Sequence, residues 1–254
     1  MTLTSPIFIV GCGHSGTTLM LSILGSHSQL YAIPYESWLF HRSATEQSQY
    51  VQRFETETNA AGKNRWVEKT PRHILDLTQI FATFVDARVI LMMRDGRDVA
   101  CSLRARTGDL QAGTQRWLHD NAAADPFRNR EDVLVVKYED LIRAPEATLR
   151  VVMLFLGAEF EPELMQHHCA DFRFYGGLDG MERYRAQIDA LEEQPDDVTG
   201  ENHRLYRSWQ ARQPIFDGRG RWRTQLSHGE RAQLRDMAGA ALIQYGYEDD
   251  NDWS

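Results

Sequence analysis

The apolar run Ile7-Phe8-Ile9-Val10 breaks directly into Gly11-Cys12-Gly13-His14-Ser15-Gly16-Thr17-Thr18, and a second apolar stretch, Leu19-Met20-Leu21-Ser22-Ile23-Leu24, follows at once. A strand that is apolar at every position has both faces buried, the condition of a parallel sheet covered by helices on each side. Glycines between such a strand and a helix let the backbone approach an anion, whose charge is met by main-chain N–H groups and by the positive helix end. This one feature restricts the chain to a layered α/β architecture with a phosphate-binding turn near its start.

The rest of the sequence agrees with that frame. Residues 89–93 and 133–136 are two more all-apolar runs, and Arg65-Trp66-Val67-Glu68 supplies a further short strand. Helical spacing of apolar residues covers 17–25, 72–84 and 97–106, so strand alternates with helix as in a doubly wound sheet. Residues 145–156, opened by Pro145, and 228–245, capped by Ser227, also read as helices. Between them, residues 160–220 are polar and broken by Gly176-Gly177, Pro195 and Pro214. We expect one domain over 1–254, with 160–215 a substrate-facing excursion or lid. The fold class expected is α/β, a three-layer domain whose central, mostly parallel sheet is flanked by helices in the manner of the P-loop nucleotide-triphosphatases.

Composition sets outer limits. With 254 residues, 42% of them hydrophobic, the chain can bury about 70–75% of its unfolded surface. A net charge of −8 argues against non-specific nucleic-acid binding, so a polyanionic ligand must be held by a local site. No apolar run reaches the ~20 residues of a membrane span, and no charged secretory leader precedes the first strand, from which a cytoplasmic location is expected. Cys12, Cys101 and Cys169 are far apart and odd in number, and His167-His168-Cys169 lacks a fourth ligand at zinc spacing, so that triplet reads as surface and no metal is expected.

Two elements carry chemistry. The first loop has the G-x-x-x-x-G-K-[ST] spacing of nucleotide triphosphatases, but Thr17 stands where the lysine that reaches the β and γ phosphates must be. The second begins at the carboxyl end of a buried strand with Arg94-Asp95-Gly96-Arg97-Asp98, and Ser102 follows one to two helical turns on. An Arg at that place suits bidentate phosphate contact; without a ligand it could pair with an Asp at the helix cap.

Together these segments resemble the sulfotransferases that use 3′-phosphoadenosine 5′-phosphosulfate (PAPS). The core Ser15-Gly16-Thr17-Thr18 is similar to the family's SGTT loop for the 5′-phosphosulfate. Arg94 through Ser102 is similar to its R-D-x-R-D-x-x-x-S turn, whose first Arg and Ser hold the 3′-phosphate. Lys137-Tyr138-Glu139-Asp140-Leu141 resembles the family's Y-E-D-L segment, and Gly218-Arg219-Gly220-Arg221-Trp222 its basic glycine-bearing loop that closes over the nucleotide. The matched pieces cover 6–157 and 216–245.

The resemblance implies sulfuryl transfer to a hydroxyl of a small-molecule, carbohydrate, lipid or peptide acceptor, with adenosine 3′,5′-bisphosphate (PAP) as product. The donor-binding residues would be Gly13, His14, Ser15, Gly16, Thr17, Thr18, Arg94, Ser102, Tyr138, Arg219, Gly220, Arg221 and Trp222. His14 stands where the family often has Lys or Arg, so it must be protonated beside the anions or be helped by another cation, for which Lys69 of Glu68-Lys69-Thr70-Pro71 is the candidate. Glu36, after Pro34, stands like the family's catalytic Glu and is expected to be the general base. Without catalysis it would be a carboxylate in the first turn of a helix starting near Tyr35. His41 is the reserve base. The competing readings are a small-molecule kinase with a degenerate phosphate loop and a non-catalytic nucleotide binder.

Overall fold

The structure is a computed structural model that describes residues 5–170, 208–250 and 252–253. Five strands form one sheet: β1 (Ile7–Gly11), β2 (Leu30–Ala32), β3 (Arg65–Lys69), β4 (Arg88–Met93) and β5 (Val133–Lys137). Their order is β2-β3-β1-β4-β5 and every pairing is parallel. The expected α/β sandwich is therefore what forms, and the connection reverses direction at β1. Ligands of such sheets bind beyond the carboxyl ends of the strands at that reversal.

Side chains alternate along a strand, and β1 shows both layers at once. Ile7 and Ile9 enter a core completed by helices α1 (Thr17–Gly25), α6 (Tyr138–Arg143) and α7 (Pro145–Leu156). Phe8 and Val10 enter the opposite one, where Phe54 of α2 (Ala44–Ala60) and Leu77 and Ile80 of α3 (Leu77–Thr83) pack. A third cluster lies past the strand ends. It joins Cys12 to Val99 of α4 (Gly96–Thr107), Trp117 of α5 (Leu110–Ala124), Trp222 of α8 (Trp222–Gln225) and Leu234 of α9 (His228–Gln244).

The helix expected over 72–84 is interrupted. Pro71–Leu75 forms a 3-10 turn, and Asp76 leaves the helical region before α3 begins. The substrate-facing excursion expected at 160–215 falls largely outside the described residues, and its flanks are packed down. Ser22 Oγ donates to the Ala211 carbonyl, and the ring of His167, in the 3-10 stretch Pro162–Cys169, bonds through Nε2 to the Gln213 carbonyl at 3.1 Å.

His167 is thus buried, which corrects the surface reading for that residue, whereas Cys169 is exposed as expected. Burial pushes the His167 pKa from the ordinary 6.5 down to about 4. The neutral ring contributes stability that is complete above pH 6.5 and is lost as pH falls toward 4, on the order of 3 kcal/mol in total. Melting temperature measured against pH should fall through that window, and H167Q should flatten the fall; an unchanged slope in the variant would assign it to other groups.

Candidate active site

The first loop leaves β1 at Gly11, where a Cβ would lie 2.5 Å from the Met92 carbonyl oxygen on the neighbouring strand. Ser15 N donates to the Cys12 carbonyl at 3.2 Å and closes the turn. Gly16 then starts α1 with φ +88°, and a Cβ there would meet the Tyr138 ring at 2.8 Å. Only glycine fits both the dihedral and the space. No side chain caps α1, so its first N–H groups are left for an external acceptor. Ser15 Oγ is buried and makes no hydrogen bond among the described residues. A buried donor in that condition at a helix start fits an anion's oxygen. His14 has φ +70°, unusual for a residue with a side chain.

The second element meets the first through His14. Arg94, at the end of β4, donates from Nη1 to the His14 carbonyl at 3.1 Å, and Ser102 Oγ shares a 2.7 Å hydrogen bond with His14 Nδ1. The sequence reading gave His14 to one phosphate and Ser102 to the other; the structure links them side chain to side chain. Arg94 also lies 4.5 Å over the Tyr138 ring and donates from Nη2 to the Gly218 carbonyl.

Asp98, to which the sequence reading gave no role, fastens the C-terminal loop here. It accepts from Gly220 N at 2.8 Å and Trp222 N at 3.2 Å, with Arg94 at 3.9 Å. Burial raises its pKa, against the pull of Arg94 and of the two N–H donors. The second Asp of the R-D-x-R-D pattern was the available signal. Tyr138 Oη donates to the Phe216 carbonyl at 3.1 Å. Of the loop's predicted donor contacts, Arg219 and Arg221 are exposed, the former paired with Asp217 at 2.7 Å. Trp222 is placed in the core, 2% exposed and stacked 4.1 Å from the Arg97 guanidinium.

On the other side of β1, the register sets Lys69 of β3 beside Ile9. Lys69 is fully buried and donates to Glu36 Oε1 at 2.6 Å. The two residues expected to act as cation and base are therefore one ion pair at the strand ends. No helix starts at Tyr35, which corrects that alternative for Glu36. The preceding residues leave the sheet irregularly, and Ser37 is captured by Glu68 through Ser37 N at 3.2 Å and Ser37 Oγ at 2.7 Å.

Glu68 is buried. Burial alone would raise its pKa, but His73, Thr70 and Ser37 outweigh that and hold the carboxyl below its usual range. This network fixes the residue next to Glu36 and, through Thr70 Oγ1, the backbone of Trp38 at 3.3 Å. His41 is half exposed, 3.2 Å from Asp76.

Two arginines missed from sequence complete the edge. Arg72, on the turn after β3, and Arg116, on α5, converge on the buried Asp120 at 2.8 and 3.5 Å. Arg116 Nη2 lies 3.2 Å from where a Gly13 Cβ would be. A residue 48 positions away in sequence gives no local signal of such a contact.

A sequence profile described as the Sulfotransferase family matches residues 6–63 and 44–162. The chain is 24% identical over 301 aligned residues to the nodulation protein NoeE of Sinorhizobium fredii (strain NBRC 101917 / NGR234). That alignment takes in 95% of this chain and 65% of NoeE, so the chain spans a little under two thirds of that relative's length. In architecture it is similar to the sulfotransferase domain from the curacin biosynthetic pathway, with TM-score 0.63 at 18% identity, covering 98% of this chain and 99% of that one. It is also similar to mouse sulfotransferase SULT7A1 complexed with PAP, with TM-score 0.59 at 13% identity over 96% and 88% of the two chains.

Proposed function

The chain belongs to the sulfotransferase family, and from that premise we propose that it moves a sulfuryl group from PAPS to an acceptor hydroxyl, with Glu36 as base. The observation that carries this reading is the meeting of two anion-binding elements at His14 on the same sheet edge as the buried Lys69–Glu36 pair. The residues fit the donor. Uncapped α1 and Gly13 to Thr18 suit the 5′-phosphosulfate; Arg94 and Ser102 suit the 3′-phosphate; Tyr138, Arg219, Gly220 and Arg221 border the same region.

In the reaction, the acceptor hydroxyl gives its proton to the Glu36 carboxylate while its oxygen forms a bond to sulfur. The bond from sulfur to the 5′-phosphate oxygen breaks, and its electron pair leaves with PAP. Lys69 holds Glu36 at 2.6 Å and so fixes the base at the strand ends. Positioning and fixed charge supply most of the barrier reduction in transfers of this kind. The phosphate-loop lysine of a kinase is replaced by Thr17, which weighs against ATP as donor.

Calorimetric titration checks the class. PAP should bind with micromolar affinity and ATP with Mg²⁺ should not bind; the reverse order would overturn the reading in favour of a phosphoryl donor.

A further inference from the structure

The loop is poor in charge for the ligand it is read to hold. Position 17 is Thr and position 14 is His, and Lys69, the expected helper, is paired with Glu36. Next to this deficit stands a built source of positive charge. Asp120 is 0% exposed on α5, and both Arg72 and Arg116 are drawn to it. Two guanidiniums on one carboxylate leave a net charge of about +1. A fully buried carboxylate is a poor route to stability, because an apolar side chain would fill the same place without desolvation cost. What it does in the structure is draw two guanidiniums to one point.

The placement is specific. Arg116 lies against Gly13 in the first half of the loop, and Arg72 follows Lys69 by three residues. The clamp therefore joins the loop to the end of β3, whose Lys69 holds Glu36. Arg116 approaches Asp120 through Nε at 3.5 Å, an ion pair without a hydrogen bond, while its Nη2 is the atom nearest Gly13. Arg116 and Arg72 keep 38% and 33% of their side-chain surface accessible, so neither is sealed in the core. The thiol of Cys12 lies within the field of all three groups, which places the clamp at the root of the loop.

We propose that Arg116, oriented by Asp120 together with Arg72, contacts the sulfuryl oxygens during transfer and supplies the cation that position 14 lacks. The inference rests on the sulfotransferase reading and adds a residue to it. Arg116 is the catalytic residue of the group; Asp120 and Arg72 are positioning residues. The bonds made and broken are those already written, and Arg116 exchanges no proton.

PAP lacks the sulfuryl group, and the test uses that difference. R116A should lower kcat roughly 10- to 100-fold while PAP affinity by calorimetry stays within about twofold. D120N should lower kcat in the same way with both arginines retained. Adding H14R to R116A should restore part of the rate, a response that a purely structural role would not give. Melting temperature and PAP binding of each variant show whether it is folded. If wild-type protein fails to bind PAP, the parent reading falls and not this one alone. A parallel loss of PAP affinity and kcat in R116A would move Arg116 to the 5′-phosphate; unchanged kcat, or a rise in acceptor KM alone, would remove it from the transfer. Any of these three results overturns the proposal.

Discussion

Replacing Glu36 by Gln is expected to lower kcat roughly 10²–10⁴-fold and leave PAP affinity nearly unchanged. The amide keeps the shape and can still accept from Lys69, but it takes no proton from the acceptor. Steady-state rates beside PAP titration separate the two effects, since a base works in the transition state and touches the nucleotide little. The geometry sharpens the comparison with His41, whose Nε2 faces Asp76 at 3.2 Å while Glu36 sits on a buried ammonium. Full activity in E36Q together with abolished turnover in H41A, nucleotide still bound, would transfer the role to His41.

Arg94→Ala is expected to weaken PAP binding by about 2–4 kcal/mol, because it removes a charge-assisted contact to a phosphate. Ser102→Ala should cost about 1 kcal/mol, the worth of a neutral donor. Arg94 also ties the His14 carbonyl to the Gly218 carbonyl and stacks on Tyr138, so its loss should free the C-terminal loop as well. Limited proteolysis across residues 214–224 should show stronger cutting in the variant, and PAP should protect the wild type more than R94A. Unchanged affinity in both R94A and S102A would remove this turn from the 3′-phosphate.

Much of the frame could be read from residues because their environments are extreme. Strands β1, β4 and β5 are apolar at nearly every position, as burial on two faces demands, and α1 and α7 have the bounds expected of them. Strand β2 is three residues at the sheet edge and leaves too short a pattern to see. Helix α2 is mostly exposed and polar, so its periodicity is weak, although Ser43 and Glu46 form a capping box that could have marked its start. The 72–84 error has a local cause: Pro71 opens a tight turn, and Asp76 separates it from α3.

The same contrast holds at the site. Its first loop stands out in sequence because Gly11 and Gly16 sit where close approach and positive φ demand glycine. The contacts that hold the site together do not. Glu36 meets Lys69 across 33 residues, Asp98 meets Gly220 across 122, and Arg72 meets Asp120 across 48; these partners are chosen by the fold.

The docking of Gly218, Gly220 and Trp222 onto Arg94 and Asp98 bears on the order in which the molecule becomes competent during synthesis. The cradle at residues 11–18 and the turn at 94–102 leave the ribosome early, and domains generally fold from the N-terminal side as they emerge. The wall that Asp98 secures comes from the last fifth of the sequence, more than a hundred residues later. Until that segment arrives, the two backbone N–H groups that satisfy Asp98 are absent, and a carboxylate that is buried in the finished fold is open to solvent beside Arg94. If PAPS is the donor as proposed, a ribosome-bound nascent chain halted before Gly218 should hold a formed sheet yet bind PAP poorly, and donor binding would come late in the life of each molecule.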